Sequence, residues 1–466
     1  MLSMHARRTA PVATSGRVLH WIVVAIVGNI PSCGGRTSLH EQAETLKIAT
    51  GGSDQERGND GTGATEVLVS SAEPSGGGSA ASVRVTTSYG SATTRLDPAS
   101  GVGGINGKGG ASFTGGTTHH VSAVVLGYSH TCSLIDGAVY CWGRNDEGQL
   151  GIGSRTDASR PTRVGLFSGG VTALAAAGNH TCALLNQHVY CWGQNRLGEL
   201  GIGTTTSSDV PVAIESLHDV NAVSAGVRAS CAAGAGSAYC WGALFLETDD
   251  RTTSRSLVPI EIVPLPEPAT TLVSGSTHTC ILIDGRVRCW GRNRDGQLGD
   301  GTTQDSSAGV QVVGLESAVT AIAAGVSHSC AAVNGSARCW GLNSNGQLGD
   351  GSTESSAIPV QVRGLTAGVT ALDASAISTC GVRDGTMWCW GGNGHGQLGN
   401  RTTVSSSIPV QVQGLNGPVT AIGTSGEHTC AVLQSRWIYC WGANDFGQLG
   451  DGTTTNSLVP VLSGPF

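Results

Sequence analysis

An all-β fold is predicted, a seven-bladed β-propeller of four-stranded antiparallel blades, on three observations. Cysteine pairs recur seven times between positions 132 and 440, and the first member of each pair advances by 49 or 50 residues. Trp and then Gly follow the second cysteine every time, at Trp142, Trp192, Trp241, Trp290, Trp340, Trp390 and Trp441. Each period also holds four runs of four to six residues, rich in β-branched residues and separated by turn residues, too short and too often interrupted by Gly for helices. Units of this size with four strands each cannot bury a core alone and stack radially.

In the fifth unit the runs are 310–313, 319–323, 329–333 and 336–340, taken in that order as one blade. The array then starts with a strand of the second kind at 121–126 and ends with one of the first kind at 459–462. The expectation is a ring closed by the C-terminal strand, which would complete the N-terminal blade.

The cysteine spacing tests the register. Asp136-Gly137 is a favoured two-residue hairpin turn. Counting outward from it sets Ile135 opposite Ala138, Leu134 opposite Val139, Ser133 opposite Tyr140 and Cys132 opposite Cys141. That last pair falls at a non-hydrogen-bonded site, with Cα atoms about 4.5 Å apart, at the short end of disulfide geometry. Asp284-Gly285, Asn334-Gly335 and Asp384-Gly385 repeat the arithmetic. The expected disulfides are therefore Cys132–Cys141, Cys182–Cys191, Cys231–Cys240, Cys280–Cys289, Cys330–Cys339, Cys380–Cys389 and Cys430–Cys440, the last with a longer turn or bulge around 434–436. Zinc is the competing use of paired cysteines, but structural zinc prefers pairs with two to four intervening residues. For a loop of about 10 residues the chain-entropy model gives at most about 2.7 kcal/mol per bridge.

Cys and Trp are neighbours in a strand and so point to opposite faces of the blade. Trp is expected to pack on small residues of the adjacent blade, such as Ala321 and Ala323, which accounts for ten Trp in a chain with only 5% aromatics. A glycan-binding ring of surface Trp is the functional alternative.

Ahead of the array the composition changes. Arg7, Arg8 and Arg17 precede an apolar run at 18–27, and small residues follow near Cys33. Residues 1–33 read as an export signal, too short in its apolar part to span a bilayer of about 20 helical residues. Cys33 sits where it resembles the acylated first residue of a bacterial lipoprotein; an ordinary signal peptide with an incidental Cys is the alternative. Residues 34–118, rich in Gly, Ser, Thr and Ala, read as a flexible linker, and 119–466 as the propeller. The 71 glycines lack the every-third spacing of collagen, and the net charge of −7 gives no general field to attract nucleic acid.

The recurring pattern His328 to Ala331, Cys339 to Asn343, Gly346 to Ser352 and Pro359 to Val362 resembles the regulator-of-chromosome-condensation repeat family. The resemblance covers about three quarters of the chain and implies a seven-bladed propeller. The paired cysteines resemble those of secreted bacterial members. The family includes an exchange factor for a nuclear GTPase and a secreted inhibitor of β-lactamases, and fold membership alone does not choose between such uses.

Chemistry is scarce. His130, His180, His278, His328 and His428 stand two residues before the first Cys, with Ala229 and Ser378 in their place in units three and six. One imidazole per blade reads as a hydrogen bond to nearby backbone rather than a metal cluster. The segment Gly346-Gln347-Leu348-Gly349-Asp350-Gly351 lacks the Lys and following helix of a phosphate loop. Asp295, Asp300, Asp350 and Asp451 lack EF-hand spacing and read as turn residues. No cofactor, metal or catalytic constellation is expected, and the chain reads as a non-enzyme.

Variation among the repeats points to binding. The two positions before the first Gly of Gly-Gln-Leu-Gly change from unit to unit: Asp146-Glu147, Arg196-Leu197, Arg294-Asp295, Ser344-Asn345, Gly394-His395 and Asp445-Phe446. The third unit has instead Ala243-Leu244-Phe245-Leu246-Glu247-Thr248-Asp249-Asp250. The candidate partner-binding residues are Arg196, Leu197, Phe245, Asp249, Asp250, Arg294, His395 and Phe446, with Leu197 and Phe446 expected as exposed anchors. The expected role is an exported monomeric scaffold that binds another protein, in a bacterial cell envelope or outside the cell, touching a membrane only through an N-terminal lipid. A polysaccharide-binding or envelope-modifying module is the alternative, and nucleotide exchange on a GTPase a minor one.

Overall fold

The computed structural model describes residues 120–464, apart from 235, 245–253, 266–268 and 270. The expected export signal, the linker and Cys33 lie outside the described residues, as do Phe245, Asp249 and Asp250. Every regular element among the described residues is a strand, and the strands form seven four-stranded antiparallel sheets, each built from four consecutive strands. Blades 1 to 7 span 121–163, 171–213, 220–264, 271–311, 319–361, 369–411 and 419–463. Within each, the inner, second, third and outer strands follow in chain order, and the inner strands surround the axis.

The hairpins have the register the turn residues dictate. Ile135 pairs with Ala138, Leu134 with Val139, Ser133 with Tyr140 and Cys132 with Cys141. Asp136 at φ 51° and Gly137 at φ 76° supply the two left-handed residues of a type I′ turn. Every cysteine pair is joined within its own hairpin, with Cα atoms 4.0–4.1 Å apart. The extra residue of blade 7 is absorbed in the turn, where Arg436 takes φ 71° and Leu433 bonds to Trp437 across it.

Two expectations are corrected. The run 310–313 does not open blade 5: Cys289 pairs with Val310, so it belongs to the outer strand of blade 4. A period fixes the length of a unit but not where the unit begins, and the Gly-Gln-Leu-Gly segment is a loop that returns the chain to its own blade. The C-terminal strand Ser457–Ser463 accordingly pairs with the third strand of blade 7, Tyr439 with Leu462 and Cys440 with Val461, while blade 1 has its own outer strand Ala158–Arg163. Among the described residues, no strand is shared across the closure. Side chains close the ring instead: Val121, Val124, Leu126 and Trp142 of blade 1 share one buried cluster with Cys430, Val432, Cys440 and Leu449 of blade 7.

The core is a set of such seams. Six of the seven repeat Trp residues are fully buried and Trp290 is 5% exposed. Trp390 packs with Ala321, Ala323, Cys330 and Cys339 of blade 5, the large-on-small arrangement expected from the sequence. On the rim, Pro161, Pro211, Pro359, Pro409 and Pro460 lie in outer strands, where the missing N–H discourages a further strand from adding.

Candidate functional site: the loop face and the axial channel

Alternating strand direction puts the inner-to-second turns and the third-to-outer loops at the same end of every blade, which is the loop face. In every blade but the third, the long loop is held by its Asn. Asn145 Oδ1 accepts from Leu150 N at 2.9 Å, and its Nδ2 donates to Ser154 O and Thr156 O. Asn195, Asn343, Asn393 and Asn444 do the same work in their own loops. The turn carboxylates are occupied locally: Asp350 Oδ1 accepts from Ser352 N and Oγ, and Asp300 and Asp451 cap Thr302 and Thr453.

The loop of one blade rests on the next. Trp192 Nε1 donates to Gln149 O at 2.9 Å and Thr181 Oγ1 to the same oxygen at 3.1 Å. Trp142, Trp241, Trp340, Trp390 and Trp441 make the equivalent bond to Gln448, Glu199, Gln297, Gln347 and Gln397. The glycine after Leu is required there, since a Cβ on Gly151 would stand 2.6 Å from Trp192 Nε1. The repeated glycine motif is thus an interblade clamp.

The histidines belong to this clamp, which corrects their expected bond to backbone. His130 Nε2 lies 2.9 Å from Thr181 Oγ1, and His180, His278, His328 and His428 reach Ser230, Ser329, Thr379 and Thr131 at 2.8 Å. Each partner hydroxyl spends its hydrogen on a loop carbonyl, so it accepts from Nε2–H, and that fixes the tautomer. Burial pushes His130, His328 and His428 down to about 3 and His180 and His278 to about 4, so all five are neutral.

The variable positions sit on top of this frame. Arg196 and Arg294 are exposed, as are Asp146, Ser344, Gly394 and Asp445 at the same loop position. Arg196 pairs with Glu147 of the previous blade at 2.5 Å, and His395 Nε2 is 4.0 Å from Glu427. Leu197 and Phe446 are half-buried, contrary to their expected role as exposed anchors; their backbone N–H groups bond to Glu199 and Gln448, as that of the exposed His395 does to Gln397. Arg144 of blade 1 lies over the Phe446 ring at 4.8 Å. In blade 3 the third strand Ser237–Leu244 and outer strand Ser254–Pro264 continue as a longer ladder up to Leu244 and Ser254, where other blades form the clamp loop.

Two concavities open near the axis. A groove on the loop face joins Tyr128 and Arg144 of blade 1 to Ile377 and His395 of blade 6 and Glu427 of blade 7. A cavity of about 290 Å³ fills the loop-face half of the axial channel and is lined by the ends of all seven inner strands. Asp373 stands in its wall. Its Oδ2 accepts from Thr424 N at 2.6 Å and Thr424 Oγ1 at 3.1 Å, and burial pushes its carboxyl up to about 6 against the pull of these bonds. Sequence reasoning passed over Asp373. Aligning the inner strands position by position exposes it, since the other blades have Val125, Ala175, Ser224, Val273, Ala323 and Gly423 there. Among the described residues, no group of three or more His, Cys, Asp or Glu is placed to hold a metal ion.

Solved structures share this architecture. Human WBSCR16 superposes with a TM-score of 0.63 at 20% identity, covering 70% of this chain and 94% of its own. Prp20p from Saccharomyces cerevisiae gives 0.62 at 21% identity, covering 75% and 88%. At these identities the likeness shows the fold alone. One model of the regulator of chromosome condensation (RCC1) repeat matches residues 136–184, 186–233, 284–332, 334–379, 384–432 and 438–465, more than half of the chain. A second RCC1 repeat model matches 121–149, 171–199, 270–297, 319–347 and 419–448, the five blades that carry the interblade histidine. The chain belongs to the RCC1 repeat family.

Proposed function

We propose that this protein is an exported, non-catalytic scaffold of the secreted bacterial type, which presents its loop face to a protein partner in the cell envelope or outside the cell. One observation carries the reading: a common hydrogen-bonded frame in six blades holds exposed residues of differing chemistry, Asp146, Arg196, Arg294, Ser344, Gly394 and Asp445, at one loop position around a ring. The groove containing Arg144, His395 and Glu427 continues that face toward the axis. Seven disulfides suit an oxidising compartment, and Cys33 would supply the lipid attachment.

Relatives of this fold bind proteins: one structure is of Kap60 bound to yeast RCC1, and another reports the binding of Prp20p to Gsp1p and histones. The glycan alternative loses its main support, because the repeat Trp residues are buried in the seams. The test uses the full chain to capture a partner from cell-envelope extract. A combined Arg196→Ala, Arg294→Ala and His395→Ala variant should lose that partner, while Arg286→Ala, at the opposite end of blade 4, should keep it. Retention by the triple variant would rule out this face.

A further inference from the structure

We propose that the axial channel is a binding site for an alkylammonium group, either a free primary amine or a lysine side chain, with Asp373 as its counter-ion. Among the described residues that line the cavity, Asp373 is the only carboxylate, and no Arg, Lys or His lines it. Its lining combines partly exposed apolar residues, including Val227, Val326 and Ala376, with the hydroxyl residues Ser274 and Ser276. An alkyl stem fits the first set and ammonium hydrogens the second.

The carboxylate is costly where it stands. Six other blades place an uncharged residue at this position, so the fold has no need of an acid there. Thr424 supplies two donors to Oδ2 but no positive charge. A partly desolvated carboxylate without a cation gains strongly from one that arrives, because the local dielectric is low. Each inner strand is the free edge of its sheet and turns both N–H and C=O groups toward the axis; Thr424 N, one of these donors, is taken by Asp373 itself, and the edge carbonyls are acceptors for a cation. An ammonium has three hydrogens to place, and a carboxylate flanked by hydroxyls and carbonyls accepts all three. Asp373 lies one strand residue before Ala374 and the loop-face turn, so a side chain inserted from that face reaches it. The inference stands on the cavity alone and holds whether or not the loop face binds a protein.

Calorimetry on the full chain at pH 7.5, with n-butylammonium as probe and 1-butanol as its uncharged counterpart, tests the site. The expected result is saturable binding of butylammonium, none of butanol, and at least tenfold weaker amine binding by Asp373→Asn, whose unfolding midpoint should be no lower than that of the wild type. Asp373→Ala is the second variant, since Ala175 and Ala323 show that a blade folds with alanine there. A lysine-bearing peptide and its norleucine analogue separate the sources: discrimination between them assigns the site to a protein side chain, and amine binding without it assigns the site to a free amine. Failure of both butylammonium and the lysine peptide to bind, or equal binding by wild type and both variants, overturns the proposal.

Discussion

His130 donates from Nε2 to Thr181 Oγ1 across the seam between blades 1 and 2, and Thr181 passes its own hydrogen to Gln149 O in the loop that lies over that seam. Three elements meet at one hydroxyl: a second strand, the second strand of the next blade and the clamp loop. His428 and Thr131 form the same relay across the closure between blades 7 and 1, with Thr131 donating to Gln448 O. The joint where the chain ends meet is therefore built like an internal seam.

Stability should fall as the pH is lowered from about 6.5 toward 4. The five interblade histidines have folded values of about 3 to 4, below the unfolded value, so in this window protons bind only to the unfolded chain. At pH 5 each costs about 2 kcal/mol relative to neutral pH. Asp373 acts in the other direction: its value is raised to about 6, so its contribution is present below its unfolded value and lost as the pH rises through 6. One group does not offset five. Urea unfolding at pH 7.5 and pH 5 should show a lower midpoint in acid, and His328→Ser, copying Ser378 of blade 6, should remove about 2 kcal/mol of the difference. An unchanged pH response in that variant would show that the seam histidines do not titrate with folding.

The hairpins were legible because their information is local. Asp136-Gly137 fixes the turn, the turn fixes the register, and the register brings Cys132 to Cys141. The phase of the blade was not legible, because what assigns 310–313 to blade 4 is a return loop whose folding depends on Asn293 and on the surface of blade 5. The seam relay hid for a similar reason: His130 and Thr181 are 51 residues apart, and a small hydroxyl before each Cys carries no signal until two blades are adjacent. At the site, the variable loop position was legible and its exposure only partly so. Phe446 is partly covered by Arg144 of the next blade around the ring, a contact across the closure that the sequence pattern does not display.

Glycines of the clamp should tolerate substitution far less than glycines of similar backbone on the surface. Gly349 has φ 69°, and an added Cβ would stand 2.7 Å from Trp390 Nε1, whereas Gly364 has φ 74° with open space around it. Gly364→Ala should cost about 1 kcal/mol, the backbone penalty alone. Gly349→Ala must also displace the Trp390 bond to Gln347 O and should cost about 2–4 kcal/mol. Denaturant midpoints of the two variants give the comparison, and equal losses would remove steric contact with Trp390 as the reason for the glycine.

Each disulfide lies inside one hairpin and crosses no seam, so its loss should weaken the ring without opening it. Replacing Cys330 and Cys339 together by alanine should cost no more than about 2.7 kcal/mol from chain entropy. The entropic share should fall below that ceiling because Asn334 at φ 51° and Gly335 at φ 72° already hold the ends together, and the packing of the two buried sulfurs on Trp390 is lost in addition. Non-reducing peptide maps of the variant should retain the other six pairings. Rearranged pairings between blades would show that the bridges, not the turns, set the register.

Deleting the C-terminal strand should destroy the fold rather than one edge of it. Removal of 457–466 strips Ser457–Ser463 from blade 7, leaving the outer edge of its third strand open at Tyr439 and Cys440, which stay paired to the second strand. It also removes Ser463 Oγ, which donates to Leu449 O at 2.6 Å, and Gly464 O, which accepts from Arg160 of blade 1. Leu449 sits beside Gln448, whose carbonyl holds both Trp142 and Thr131, so slackening this loop loosens the closing seam. Because a ring opened at one joint exposes two blade faces, the loss propagates beyond blade 7. The truncated chain should lack the near-ultraviolet circular dichroism of buried Trp and elute as aggregate, while Ser463→Ala in the full chain should remain folded and cost about 1–2 kcal/mol. A truncated chain that stays monomeric with native Trp signals would mean that the inner-strand packing of Val121, Val124 and Leu126 on blade 7 closes the ring unaided.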